Sequence, residues 1–229
     1  MKKKKVFKYI LISIGVLLLL SFIFVFIYIN DYYKAEDIIN EYLKNSDSVK
    51  VSKDDDVYIF DGYGEDNAIV FYQGGKVDNI AYAPLLYKIA ENGIDCYLVN
   101  MPFRLAIIDK NRANSVINKY NYDNWYIMGH SLGGVVAGMY ASNNPNKLSG
   151  LIFLAAYPHE KVNESLRMLS IYGSLDGVLD MKKYEDSKKY WSNKSQEFII
   201  EGGNHANFGN YGNQRVIMIQ QLLRMNNKI

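Results

Sequence analysis

The pentapeptide Gly129-His130-Ser131-Leu132-Gly133 lies between two segments that predict different secondary structures. Before it, residues 125–128 are apolar and predict a buried strand; after it, residues 134–141 are small and apolar and predict a helix packed on a sheet. Strand, Gly-x-Ser-x-Gly and helix in this order form a nucleophile elbow, a tight turn that lifts the serine hydroxyl clear of the sheet. Ser131 is therefore the candidate nucleophile.

Short apolar strands alternate with helices over most of the remaining chain. The predicted strands are residues 68–72, 96–100, 125–128, 151–155, 168–172 and 197–200, and the predicted helices are residues 81–91, 107–120, 134–141 and 214–225. Two shorter alternating segments, around residues 49–51 and 57–60, predict edge strands. This alternation predicts an α/β fold with a mostly parallel sheet and helices on both of its faces.

The first thirty residues predict a transmembrane anchor. Residues 1–5 contain four lysines, and residues 6–29 are apolar except for Lys8. The uncharged run from Tyr9 to Ile29 is about 30 Å long as a helix, enough to cross a bilayer. No small-residue cleavage site follows it, which favours an anchor over a cleaved signal peptide. The lysines predict a single-pass protein with a cytoplasmic N-terminus and an extracytoplasmic domain.

Between the anchor and the predicted domain at residues 55–229, residues 30–54 predict a stalk and linker. Ile38, Ile39, Tyr42 and Leu43 recur at helical spacing and predict an amphipathic stalk helix over residues 31–45.

The net charge argues against binding of nucleic acid, and the single cysteine argues against a disulfide or a lipid anchor. Five of the 26 basic residues precede Tyr9 and no acidic residue precedes Asp31, so the exported part has 21 basic and 24 acidic residues and a net charge of −3. This argues against a nucleic-acid-binding surface. Cys96, the one cysteine, lies within a predicted core strand, so neither an internal disulfide nor lipid attachment near the anchor is expected.

A serine nucleophile needs a base and an acid that orients the base, and elbow hydrolases carry them in the order serine, acid, histidine. His205, in Gly203-Asn204-His205-Ala206, is the one histidine that fits this order. His130 precedes the serine and is expected to be packed or hydrogen-bonded, and His159 is expected near the pocket mouth. Asp176 follows a predicted strand and is the candidate acid, with Asp180 as the alternative.

An oxyanion needs backbone donors, one of which is expected to be the N–H of Leu132, directly after the nucleophile. The loop Gln73-Gly74-Gly75-Lys76 follows a predicted strand and supplies the second. Gly75 is the preferred donor, with Gly74 and Lys76 as alternatives. No Gly-Lys-Ser/Thr follows these glycines and no His-x-His or His-Glu-x-x-His pattern occurs, so the sequence predicts neither cofactor nor metal.

Together, the elbow, the Gln73–Lys76 loop, Ser174-Leu175-Asp176-Gly177 and Gly203-Asn204-His205-Ala206 resemble the α/β-hydrolase superfamily. They are most similar to its small cap-less branch of dienelactone-hydrolase-like esterases, from about Val57 to the C-terminus. The resemblance implies an α/β-hydrolase fold with Ser131 as nucleophile, Asp176 as acid and His205 as base. Members of that branch often have proline where this chain has Gln73.

Only about a dozen residues, 156–167, separate two predicted strands where larger lipases and esterases insert a cap. The site is therefore expected to be open to bulky or surface-bound acyl groups. These features predict a membrane-anchored extracytoplasmic serine hydrolase acting on a small-molecule or envelope acyl ester. A thioesterase, amidase or peptidase would use the same triad. The alternative from another class is a non-catalytic binding protein with this fold.

Overall fold

The strand that leads to Ser131 lies in the interior of a single sheet. The computed structural model describes residues 2–212 and 214, and its strands are β1 (Lys50–Asp54), β2 (Val57–Asp61), β3 (Asn67–Tyr72), β4 (Asp95–Leu98), β5 (Asn124–His130), β6 (Gly150–Leu154), β7 (Arg167–Gly173) and β8 (Ser195–Ile200). The strand order is β1-β2-β4-β3-β5-β6-β7-β8. The pairs β1–β2 and β2–β4 are antiparallel and the others are parallel. The predicted fold is thereby confirmed. Both short segments form strands, but only β1 lies at an edge of the sheet, because β2 pairs with β1 on one side and with β4 on the other.

Helices cover both faces of this sheet. The helices of the sheet-containing unit are α2 (Ala83–Ala90), α3 (Asn114–Ile117), α4 (Leu132–Asn143) and α5 (Met181–Ser187), numbered after the N-terminal helix α1 (Lys2–Asn30). One apolar core contains α4 residues such as Val136 and Ala137, and the other contains α2 residues such as Leu86. Cys96 is buried in the second core, as its predicted strand position requires. Residues 155–166 connect β6 to β7 without a helix or strand, so no cap is inserted there.

The helix predicted over residues 107–120 is mostly wrong. The segment forms a short 3-10 turn at Ala106–Ile108 and the four-residue helix α3. The Tyr72 hydroxyl, reaching from β3, donates to the carbonyl of Lys110 at 3.0 Å and accepts from the amide of Ala113 at 2.8 Å. These contacts engage backbone groups that a continuous helix would pair internally, and they come from a residue far away in sequence.

The stalk helix predicted over residues 31–45 is also wrong. This segment contains one 3-10 turn, Asp37–Glu41, and from Tyr33 onward it is part of the sheet-containing unit. Ile39 is buried, and Tyr42 and Leu43 pack on the α2-side core. The apolar spacing therefore reflects contacts with the core, since burial decides the conformation of a short segment more strongly than its own periodicity does.

The N-terminal helix α1 belongs to a separate compact unit that ends at Tyr32. Within it, Lys5–Asn30 is 26 residues long and apolar enough to cross a membrane. A signal sequence near an N-terminus has the same properties. The predicted helix over residues 214–225 lies, beyond Gln214, outside the described residues.

Candidate active site

Ser131 occupies a sharp turn between β5 and α4. Its backbone has φ 51° and ψ −122°, a region that residues with a Cβ rarely adopt. A Cβ on Gly129 would lie 2.5 Å from the carbonyl carbon of Gly133, and a Cβ on Gly133 would lie 2.2 Å from the Gln73 carbonyl oxygen. The glycines of the motif therefore allow strand, helix and the neighbouring loop to approach one another. This strained turn presents Ser131 at the carboxyl edge of the sheet.

His205 and Asp176 are brought together from loops that follow neighbouring strands. His205 Nδ1 lies 2.8 Å from Asp176 Oδ2, and the two side chains are 2% and 1% exposed. The other carboxylate oxygen, Oδ1, accepts the amides of Val178 at 2.9 Å and Leu179 at 2.8 Å. Burial alone raises the pKa of Asp176, but the hydrogen bond and charge of His205 and the two amides outweigh it and lower that pKa. Asp176 is therefore held as a carboxylate against Nδ1.

The second ring nitrogen of His205 belongs to a residue that lines the same pocket as Ser131. Nε2 is buried and has no hydrogen-bond partner among the described residues. His205 and Ser131 both line a cavity of about 150 Å³, together with Leu132, Val135, Ala155, Ala156, Tyr157, Val178, Leu179 and Asp180. A buried polar atom without a partner lowers the stability of the folded protein, and such atoms in native structures often have a functional role. This nitrogen is available to exchange a proton in the pocket that Ser131 lines.

A larger cavity lies elsewhere. Its volume is about 600 Å³. It is lined by residues near the amino ends of β6, β7 and β8, such as Leu151, Arg167 and Ser195. None of Ser131, Asp176 and His205 lines it. Ligands of open α/β sheets bind at the carboxyl ends of the strands. We therefore assign the site to the smaller cavity.

The loop after β3, residues 73–77, is called here the glycine loop. The Gly74 amide donates to the Tyr82 hydroxyl at 3.1 Å, and the Lys76 amide donates to the Arg104 carbonyl at 3.0 Å. The Gly75 amide makes no hydrogen bond within the described part of the chain. A Cβ on Gly75 would lie 3.0 Å from Leu132 Cδ2, which places the glycine loop beside the first turn of α4. Of the three candidate donors in this loop, Gly75 is the one whose amide is uncommitted.

Leu132, the other predicted donor, is the first residue of α4. The first N–H groups of a helix have no partner within it, and the helix dipole favours negative charge at that end. The backbone amides of Leu132 and Gly75 thus supply candidate donors from two neighbouring segments.

Gln73 fixes the glycine loop, a role that the sequence did not reveal. Its side chain is fully buried, with Nε2 donating to the Val77 carbonyl at 2.7 Å and Oε1 accepting the Met101 amide at 3.1 Å. Both ends of the side-chain amide are therefore satisfied by backbone groups. A polar residue directly after the apolar run 68–72 was the available signal.

His130 is buried, as expected, and connects Tyr82, which accepts the Gly74 amide, to the backbone of His205. Nδ1 lies 2.8 Å from the Tyr82 hydroxyl and Nε2 lies 3.0 Å from the His205 carbonyl oxygen. Burial, followed by the charge of His205, holds the pKa of His130 well below its ordinary value, so the ring is neutral. Because a carbonyl can only accept, Nε2 carries the proton and Nδ1 accepts from Tyr82. Tyr82 had no sequence signal, since its role depends on residues distant in the chain.

The structure does not bring the other two predicted site residues, Asp180 and His159, into hydrogen-bonding contact with His205 or Asp176. Asp180 lines the pocket, but its side chain caps α5 by accepting the Lys183 amide at 3.1 Å. His159 is exposed and lines a separate cavity of about 160 Å³ with Tyr157 and Pro158, rather than the pocket of Ser131. Within the described residues, no group of three or more His, Cys, Asp or Glu side chains is placed to hold a metal ion.

Comparison with known proteins agrees with this architecture. Residues 68–218 match the model of the alpha/beta hydrolase family. No curated protein shows significant similarity to the chain.

Three solved structures illustrate the similarity, which at these identities concerns the fold alone. Dienelactone hydrolase from Anabaena variabilis is 13% identical, with a TM-score of 0.56 over 78% of this chain and 96% of that one. A predicted CIB-like hydrolase from Thermoplasma acidophilum is 18% identical, with a TM-score of 0.51 over 78% and 98%. A bacterial membrane phospholipase A is 10% identical, with a TM-score of 0.54 over all of both chains.

Proposed function

Because the chain belongs to the alpha/beta hydrolase family, we propose that it is a serine hydrolase that cleaves carboxylic esters through Ser131, His205 and Asp176. The observation that supports this most directly is the buried His205–Asp176 pair, joined at 2.8 Å. The unpartnered Nε2 of His205 belongs to a residue that shares a pocket with Ser131. A protein that only binds a ligand has no need for this combination.

In the proposed first step, Ser131 Oγ attacks the ester carbonyl carbon while His205 Nε2 accepts the hydroxyl proton. Asp176 stabilises the imidazolium that forms and holds the tautomer in which Nε2 is free. The negative charge on the former carbonyl oxygen is stabilised by the amides of Leu132 and Gly75. Collapse of this intermediate breaks the ester C–O bond, and the alcohol leaves with the proton from His205.

In the second step, water replaces the alcohol. His205 accepts a proton from the water, whose oxygen attacks the acyl-Ser131 carbonyl, and the same amides stabilise the new oxyanion. The carboxylic acid leaves, and Ser131 regains its proton from His205. Thioesters, amides and peptides would follow the same steps, so the ester specificity is part of the proposal.

The enzyme is further proposed to be anchored in the cell membrane by α1, with its catalytic domain outside the cytoplasm. This rests on the length and apolar composition of Lys5–Asn30 and on the lysines that precede it. Protease added to intact protoplasts should degrade the domain, and the full-length chain should sediment with membranes after a high-salt wash. A shorter form in the medium would indicate a cleaved signal sequence, and full protection would indicate a cytoplasmic domain.

The nucleophile is tested with Ser131→Ala. We expect hydrolysis of a short p-nitrophenyl ester to fall by roughly 10⁵-fold or more, and labelling by a fluorophosphonate probe to disappear. Ser142→Ala, on the same helix, is the matched control and should retain both. If the Ser131 variant keeps most of its activity, the assignment is wrong; if the wild type neither turns over esters nor takes up the probe, a non-catalytic binding protein is favoured. Parallel assays with a thioester and an anilide test the bond type.

The acid is tested by comparing Asp176→Asn with Asp180→Asn. The first should lower kcat by roughly 10⁴-fold, because an amide at this position no longer holds the reactive tautomer of His205. The second keeps a side-chain oxygen that can accept the Lys183 amide and cap α5, so we expect little change in stability and only a minor loss of activity. The reverse order of severity would make Asp180 the acid.

A further inference from the structure

Two loops expose apolar side chains, one joined by a hydrogen bond to the glycine loop and the other contributing to the lining of the Ser131 pocket. On the first, between β4 and α3, the exposed side chains are Phe103 (56%), Ile107 (41%) and Ile108 (52%); on the second, after β7, they are Leu175 (46%) and Val178 (38%). We call these five residues the apolar rim. Exposed apolar groups gathered around a site mark a surface that meets another apolar phase.

The rim adjoins the catalytic machinery on both sides. Arg104, next to Phe103, accepts the Lys76 amide of the glycine loop through its carbonyl at 3.0 Å. Val178 lines the Ser131 pocket and donates its amide to Asp176. Phe103 and Arg104 both have left-handed backbones, with φ of 52° and 59°. Consecutive non-glycine residues rarely adopt this conformation, which here accompanies an aromatic ring exposed to solvent.

The chain after α1 is attached to the same glycine loop. The Tyr33 amide donates to the Lys76 carbonyl at 2.8 Å, and the Tyr33 carbonyl accepts the Asp78 amide at 2.9 Å. Only Asp31 and Tyr32 separate Tyr33 from Asn30, where α1 ends. Three residues of extended chain span at most about 11 Å. This limit on the length of the connection follows from the covalent chain alone.

The pocket itself is too small to enclose a long acyl chain. Its volume of about 150 Å³ lies below the roughly 300–1,000 Å³ of pockets that bury drug-sized ligands. An ester group fits there, whereas the rest of a lipid would have to lie outside, against apolar surface. The rim supplies that surface beside the scissile bond.

We propose that the substrate is an ester lipid of the same bilayer that holds α1, presented to Ser131 while the apolar rim rests on the membrane surface. This inference depends on the proposed anchor and nucleophile. Ser131 Oγ first bonds to the acyl carbon as His205 takes the hydroxyl proton, and collapse of this intermediate then breaks the lipid acyl–oxygen bond. The lyso-lipid alcohol leaves with the proton from His205. Water then releases the fatty acid and restores the serine.

The test uses the full-length protein reconstituted in vesicles of non-hydrolysable diether phosphatidylcholine with a minor fraction of labelled diacyl phosphatidylcholine. The labelled lipid is placed either in the protein's own vesicles or in separate, protein-free vesicles, and a soluble p-nitrophenyl ester is assayed in parallel. We expect fatty acid release from the protein's own vesicles and at least about tenfold less from the separate ones, because the anchor raises the local concentration.

The rim is tested with the double variant Phe103→Asn, Ile108→Ser, since asparagine tolerates the left-handed backbone at residue 103. Removing two exposed apolar side chains should lower the ratio of the lipid rate to the soluble-ester rate about tenfold. Tyr63→Ser is the matched control: its ring is 73% exposed, but it lies between β2 and β3, at the amino ends of the parallel strands, whereas Ser131 lies at their carboxyl ends. This control should keep the ratio within about twofold of the wild type.

Each failure has a distinct meaning. Hydrolysis of the soluble ester without lipid hydrolysis, equal lipid rates in the two vesicle arrangements, or an unchanged ratio in the double variant would overturn this inference alone. A rim variant that instead loses self-association would assign the rim to a second copy of the chain, which also overturns it. A protein inert toward both substrates would overturn the proposed function.

Discussion

The elbow around Ser131 and the glycine loop pack against each other, yet they are held in place by different means. The elbow depends on steric fit within five consecutive residues and on the contact of Gly133 with the Gln73 carbonyl. The glycine loop depends on hydrogen bonds from distant segments, through Tyr33, Tyr82, Met101 and Arg104. One half of the site is therefore encoded locally, whereas the other is assembled only when the whole unit folds.

This difference has consequences for substitution. A change in the elbow places atoms where backbone already lies, and little relaxation is available to a turn between a central strand and a helix. A change in the glycine loop removes hydrogen bonds but leaves space, so its neighbours and water can compensate in part. We therefore expect substitutions in the elbow to cause large losses of stability and substitutions in the glycine loop to cause smaller losses of stability and activity.

The largest effect is expected for Gly133→Ala. The new Cβ would lie 2.2 and 2.3 Å from the carbonyl oxygens of Gln73 and Tyr72, which are backbone atoms and cannot rotate away. We expect a loss of more than about 4 kcal/mol in the free energy of unfolding, or no folded protein, measured by thermal unfolding and yield.

Gly202→Ala is the control for this change. Gly202 has φ of +73° and open space around it, so alanine there tests backbone strain without a clash and should cost about 1–2 kcal/mol. Equal losses in the two variants would show that the elbow is no more constrained than an ordinary turn.

A smaller effect is expected for Gln73→Leu in the glycine loop. The change leaves the Val77 carbonyl and the Met101 amide buried without their partner, at about 1–3 kcal/mol each. We expect lower stability in chemical denaturation and a lower kcat with a short ester, because the Gly75 amide loses its fixed position. Gln73→Glu keeps the shape and the acceptor for Met101, but at neutral pH it buries a carboxylate oxygen against the Val77 carbonyl, so it should be at least as unstable as Gln73→Leu and should regain stability at low pH, where the protonated acid can donate. Full activity in the leucine variant would contradict a positioning role.

The smallest effect concerns His130, which connects the two regions through Tyr82. The folded protein keeps this ring neutral, whereas the unfolded chain takes up a proton below its ordinary pKa of 6.5. Stability is therefore present above this pH and is lost as the pH falls, by about 1 kcal/mol between about pH 7 and 5.5 for this one group.

His130→Gln removes that contribution while retaining an acceptor for Tyr82 and a donor for the His205 carbonyl. Its stability should fall less steeply with decreasing pH than that of the wild type, as measured by tryptophan fluorescence in urea at several pH values. Parallel curves for the two proteins would mean that His130 is protonated in the folded state.

The sequence predicted the central sheet because strands that are buried on both faces appear as short continuous runs of apolar residues, and such runs can be recognised without knowing their neighbours in the fold. The elbow was recognisable because its motif is contiguous in the sequence, although the close contact that requires Gly133 is with the Gln73 and Tyr72 carbonyl oxygens of a distant strand and loop. His205 and Asp176 were placed by chain order and by their positions after strands, and the structure brings them within hydrogen-bonding distance. Their catalytic roles stay predictions.

Other features required the tertiary structure. The apolar spacing of residues 31–45 predicts a helix when it is considered alone, but burial of Ile39 and backbone pairing of Tyr33 with the glycine loop favour a different conformation. Likewise, Tyr72 interrupts the helix predicted over residues 107–120 by engaging Lys110 and Ala113. Local periodicity predicts which side chains will be buried. Which backbone groups can pair within a helix is determined by the residues that pack against the segment in the folded protein.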